Sequence, residues 1–156
     1  MRPTPAAAAA VAVALALVAP GCAADPKDSG APAADGVDPC GPSADPLAVG
    51  FTAPCDGGGC AIELRALDPD PPGKGDNTWT VAIAGGWAPT AVTLTPTMPA
   101  HGHGTQPASF ALEPAGGAWI TPPVGLFMAG LWRLEFALTA ADGATGSAVL
   151  RACVEG

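Results

Sequence analysis

Glycine and proline together fill 40 of the 156 positions, 21 and 19 respectively, and past residue 18 they recur throughout the chain. Proline breaks a helix interior, and glycine weakens one by about 1 kcal/mol relative to alanine. A chain punctuated this densely is confined to short extended runs joined by turns. Long-helix architectures are excluded, and the length allows one domain.

The extended runs are visible from residue 60 onward. Ala61 to Leu67 alternates, with Ile62, Leu64 and Ala66 on one side and Glu63 and Arg65 on the other. Trp79-Val81-Ile83, Val92-Leu94, Phe110-Leu112, Trp119 with Ile120, Trp132-Leu134-Phe136-Leu138 and Ala148-Leu150-Ala152 follow. Period-two alternation over four to eight residues, bounded by Gly, Pro or Asp, is the signature of a half-buried strand. Turns are marked by Gly85-Gly86, Gly116-Gly117 and Asp142-Gly143, the last a hairpin signal between two apolar runs. Seven short strands predict an all-β fold, a single immunoglobulin-like β-sandwich spanning residues 59–156. The Cys-Trp-Cys spacing of a true antibody domain is missing, and there is no internal repeat. Trp79, Trp119 and Trp132 are read as core residues, and Trp87 as a partly exposed loop aromatic.

The first 21 residues read as an export signal. Arg2 supplies a positive start, residues 6–18 form an apolar run, and Ala19-Pro20-Gly21-Cys22 follows at once. Thirteen apolar residues suit a signal peptide and are short for a bilayer span. Small residues before a Cys at this point resemble a bacterial lipoprotein signal, in which Cys22 becomes the lipidated first residue. The alternative is an ordinary secretory signal cut after Cys22. Both lead out of the cytoplasm, and the first predicts a bacterial envelope lipoprotein held to a membrane and facing the periplasm or the exterior. Residues 22–58, rich in Ala, Asp, Gly, Pro and Ser, hold few large apolar side chains and are expected to form a flexible tether without helix, its last third packing once disulfide-bonded.

Cysteine usage agrees with export. Removing Cys22 leaves Cys40, Cys55, Cys60 and Cys153, an even set suited to two disulfides in an oxidising compartment. The sequence does not choose among three connectivities. The preferred one joins Cys60 to Cys153 and Cys40 to Cys55; the rival joins Cys55 to Cys60 and Cys40 to Cys153. The spacing between Cys55 and Cys60 does not fit a redox-active pair.

Fourteen acidic residues against six basic ones give a net charge of −8, which excludes a classical nucleic-acid binder because phosphate would be repelled. Nor is there a nucleophile elbow, a phosphate-cradling glycine loop or a paired acid and base, so the expected role is non-enzymatic. The carboxylates of Asp68, Asp70 and Asp76 share a turn with three prolines and lack Ca2+-loop spacing; they read as a stiff acidic loop.

The segment that stands out is Pro96-Thr-Met98-Pro-Ala-His101-Gly-His103-Gly104, which holds both histidines of the protein. Alternation along an extended segment would put His101 and His103 on one side, and Gly102 and Gly104 let the backbone bend. Met128 lies in a second glycine-flanked segment, Gly125-Leu-Phe-Met128-Ala-Gly130-Leu-Trp132. Thioether sulfur is a soft donor that favours Cu(I), and imidazole suits copper in either state. Met98, His101, His103 and Met128 would form a copper site if the two loops meet at one end of the sandwich. The competing reading makes the turn polar architecture and both methionines core plugs.

These two segments, with Gly75-Asp-Asn-Thr-Trp79-Thr-Val81 before them, resemble a YtkA-like domain over residues 60–154. Such domains are small exported β-sandwiches, often lipid-anchored, similar in outline to FixH and CopC-like proteins. The resemblance implies that Met98, His101, His103 and Met128 occupy motif positions and that the protein handles copper, with a copper-donating or copper-accepting partner protein.

Overall fold

The computed structural model describes residues 40–156. The expected signal sequence, Cys22 and the first part of the expected tether lie outside the described residues. Eleven strands follow one turn of 3-10 helix at Gly41–Ser43: β1 (Thr52–Pro54), β2 (Ala61–Asp68), β3 (Gly75–Ala84), β4 (Pro89–Met98), β5 (His103–Gly104), β6 (Phe110–Ala111), β7 (Glu113–Ala115), β8 (Ala118–Ile120), β9 (Val124–Leu126), β10 (Gly130–Ala140) and β11 (Thr145–Val154). They form two antiparallel sheets, one ordered β1-β2-β3-β8-β7 with β9 also on β3, the other β11-β10-β4-β5 with β6 also on β4.

The seven alternating runs of the sequence are β2, β3, β4, β6, β8, β10 and β11. The four strands beyond them, β1, β5, β7 and β9, are two or three residues long. Each carries Pro54, Gly104, Pro114 or Gly125, residues that weaken a strand and hide its periodicity.

Between the sheets lies one core. Ile62, Leu64, Leu67, Trp79 and Val81 face Val92, Leu94, Met98, Trp132, Leu134, Phe136, Leu138 and Leu150, all buried. Each fully buried side chain of this size contributes about 1.5–3 kcal/mol relative to exposure. Two expectations are corrected here. Ala66 faces solvent, because a register shift between Leu64 and Ala66 re-phases β2 and turns Leu67 inward instead. Trp119 is only half-buried, since β8 is short and its outer neighbour β7 covers little; Trp87 is half-buried in the β3–β4 loop as expected.

The turns follow their residues. Gly116 and Gly117, at φ +59° and +86°, join Ala115 to its partner Ala118 in a two-residue hairpin. Gly143, at φ +84°, closes the β10–β11 hairpin, where Ala140 N–H donates to the Ala144 carbonyl. Asn77 is buried, and its amide holds the acidic loop from within: Gly73 N–H donates to Oδ1 at 3.0 Å, while Nδ2 donates to the Gly73 and Gly75 carbonyls at 2.8 Å.

The disulfides are Cys40–Cys153 and Cys55–Cys60, with Cα separations of 5.5 and 5.3 Å. The preferred pairing of Cys60 with Cys153 and Cys40 with Cys55 is therefore wrong, and its rival right. Cys60 directly precedes β2, in the interior of one sheet, and Cys153 lies near the end of β11, at the edge of the other; Cys55 closes on Cys60 across the Asp56–Gly59 turn, where Cys55 N–H already donates to the Cys60 carbonyl. Residues 40–56 fall within the expected tether, of which only the last third is expected to pack; the whole of this stretch belongs to the folded unit, with Leu47 and Phe51 packed against the core and Ala53 and Cys55 in it. Asp45 N–H donates to the Arg151 carbonyl and Arg151 N–H to Asp45 Oδ2, at 2.9 and 2.7 Å. Asp56 N–H donates to the Ser147 carbonyl, and on the other sheet Gly50 N–H donates to the Leu64 carbonyl. Backbone hydrogen bonds and a disulfide hold this strap where apolar side chains are scarce, and the strap covers polar groups of β11 that an edge strand would otherwise leave unpaired. Among the described residues, no helix is long and apolar enough to cross a membrane.

Candidate metal centre

The two histidines sit on the β4–β5 hairpin. Met98 ends β4 and pairs with His103 in β5, and Pro99, Ala100, His101 and Gly102 form the tip. The Met98 carbonyl accepts from both His101 N–H and Gly102 N–H at 3.0 Å. Gly102 takes φ +67°, a left-handed conformation that costs other residues about 1–2 kcal/mol. Gly104 is required for another reason, since a Cβ there would collide with the Pro96 carbonyl oxygen; glycine permits the close approach of β5 to β4. His101 therefore lies in the turn, and its nearness to His103 comes from the hairpin bend rather than from alternation along one strand.

Directly opposed residues in an antiparallel pair share a face and keep Cβ atoms about 4.5–5.5 Å apart. The register thus puts His103 on the same face as Met98, one at the mouth of the sandwich and the other beneath it. Both imidazoles are exposed, whereas Met98 is 1% exposed and belongs to the core. The β9–β10 loop arrives at the same mouth. Phe127, just beyond β9, stacks on His103 with ring centroids 5.7 Å apart and planes 14° from parallel. Its neighbour Met128 is half-buried against the core. Trp132, fully buried at the start of β10, meets Phe127 edge-on at 5.5 Å and donates its indole N–H to the Met128 carbonyl at 2.9 Å.

The His101 and His103 ring centroids are 5.7 Å apart. With a metal–nitrogen bond of about 2.0 Å and a ring centre about 1.2 Å beyond it, two imidazoles on one ion have centroids about 5.2 to 6.4 Å apart for angles between about 109° and 180°. The 5.7 Å separation falls within that range. No group of three His, Cys, Asp or Glu converges anywhere among the described residues, and the four cysteines are consumed in disulfides. A third protein donor at this mouth would be a thioether, Met128 at the rim or Met98 beneath, a soft addition that fits copper better than zinc or the hard cations.

Phe127 and the Trp132 indole were not legible as parts of this mouth. In the competing reading Met128 plugs the core, yet Phe127 beside it is 52% exposed. Its exposed position is explained by the ring partners on either side, and no pattern in the sequence announces a contact between residues 24 positions apart.

At the opposite end of the sandwich, Trp87 and Trp119 border a groove of about 330 Å3 with Pro89, Pro114 and Gly117. It carries no titratable or nucleophilic side chain.

No protein-family model matches the chain, and no curated protein or solved structure matches it either.

Proposed function

We propose that this chain is a non-enzymatic copper-binding lipoprotein of the bacterial envelope, with its site at the mouth formed by His101, His103 and Met128 over Met98. The observation that carries the reading is the 5.7 Å separation of two exposed imidazoles on a hairpin that meets the Met128 loop through the His103–Phe127 stack. The motif resemblance to YtkA-like domains belongs to this reading. Storage, delivery to a cuproenzyme and resistance all use the same chemistry. Imidazole and thioether donors select a soft ion, and an exposed mouth lets a partner protein exchange ligands with it.

Two disulfides point to an oxidising compartment, in keeping with export. Cys153 is paired with Leu131, immediately after the Met128 loop, so the Cys40–Cys153 bridge lies at the histidine end of the sandwich.

A structural or protein-interaction module without metal is the second reading, and the burial of Met98 favours it: a methionine enclosed in the core needs no ligand role to explain its presence. Thermal denaturation with and without Cu(I) separates the two, because a ligand that binds only the folded state raises the melting temperature. Equal melting curves at saturating Cu(I) would leave the module reading standing.

A further inference from the structure

Two large apolar side chains stand well exposed among the described residues, Val49 and Phe127, and only Phe127 lies at the histidine mouth. Exposure of this kind gains little from the core, yet the ring is held on two sides. One face stacks on His103, and an edge contact joins it to Trp132, whose indole N–H also fixes the Met128 carbonyl. The buried indole thus ties together the loop that carries Met128 and the ring that covers His103.

We propose that Phe127 is a positioning residue for the copper centre, holding the His103 imidazole in the plane from which its nitrogen is presented to metal. The proposal rests on the copper reading. Nitrogen lone pairs lie in the ring plane, so a ring stacked on the face leaves them open while restricting rotation of the imidazole. An offset-stacked pair at 5.7 Å falls within the favourable range for aromatic contacts. Ordering the imidazole before metal arrives removes part of the entropy lost on binding. Because Phe127 is next to Met128, the same contact couples the position of a nitrogen donor to that of a sulfur donor.

The test compares wild type, Phe127→Ala and Phe127→Tyr of the exported, disulfide-bonded protein. In the metal-free state, NMR reads the His103 ring protons, which the Phe127 ring current displaces; Phe127→Ala should remove that displacement and Phe127→Tyr keep it. Melting temperature should change little in either variant, since the side chain is half exposed. Anaerobic Cu(I) competition should show affinity about 3- to 10-fold weaker for Phe127→Ala and restored for Phe127→Tyr. Wild-type affinity in Phe127→Ala, or a loss that Tyr does not rescue, would overturn the positioning role while leaving the copper reading intact. Absence of Cu(I) binding by the wild type would overturn both.

Discussion

Removing the two disulfides one at a time should have unequal consequences, because they close very different lengths of chain. Cys40–Cys153 spans a sequence separation of 113 and Cys55–Cys60 one of 5. In the chain-entropy account, the denatured ensemble loses freedom in proportion to the logarithm of loop length, which gives about 4.8 kcal/mol for the long loop and about 2.1 kcal/mol for the short one at 25 °C. For a folded unit of residues 40–156 the unfolding entropy is about 0.25 kcal/mol per kelvin, so the melting temperature should fall by about 20 °C and about 8 °C respectively. The assay is urea and thermal unfolding of Cys40→Ala/Cys153→Ala and of Cys55→Ala/Cys60→Ala, paired substitutions that leave no free thiol. The strap from Asp45 to Asp56 keeps its hydrogen bonds to β11 in both variants, so the native sandwich should persist. Equal losses, or a larger loss from the short loop, would refute the reasoning and shift the weight of stabilisation to native-state contacts.

Two further outcomes are expected. Met98→Ala should cost about 2–5 kcal/mol by denaturant unfolding, whether or not copper is added, because it empties a site in the core; a neutral result would mean that the side chain is not packed as described. Asn77→Ala strips the partners from Gly73 N–H and the Gly73 and Gly75 carbonyls, and should cost at least about 1–3 kcal/mol and make the 69–74 loop a site of early proteolysis.

How far the sequence could be read depended on what carried each element. Strands whose inward residues are Ile, Leu, Val or Trp at every second position were legible, as in the Trp132 to Leu138 run of β10. The bulge in β2 was not, since nothing in Leu64-Arg65-Ala66-Leu67 marks the register shift that sends Ala66 outward. The start of the strap, residues 40–46, escaped because a disulfide and the hydrogen bonds of Asp45 hold it, and both are blind to side-chain hydrophobicity. Its pairing went the other way for the same reason: the Cys55–Cys60 bridge follows from a local turn, and loop composition alone does not weigh that against a long-range clamp. At the candidate site, Met98, His101 and His103 were found by residue type and their hairpin by its glycines. The aromatic contacts of Phe127 join chain segments that only the folded topology brings together.

The central claim is that the histidine mouth binds copper. Its most direct test is anaerobic Cu(I) titration of the exported protein against a chromogenic chelator, alongside the His101→Ala/His103→Ala variant. One tight equivalent for the wild type, lost in a double variant that keeps its melting temperature, is the predicted result. A double variant that competes for Cu(I) as well as the wild type, or a wild type that never competes, would contradict the account.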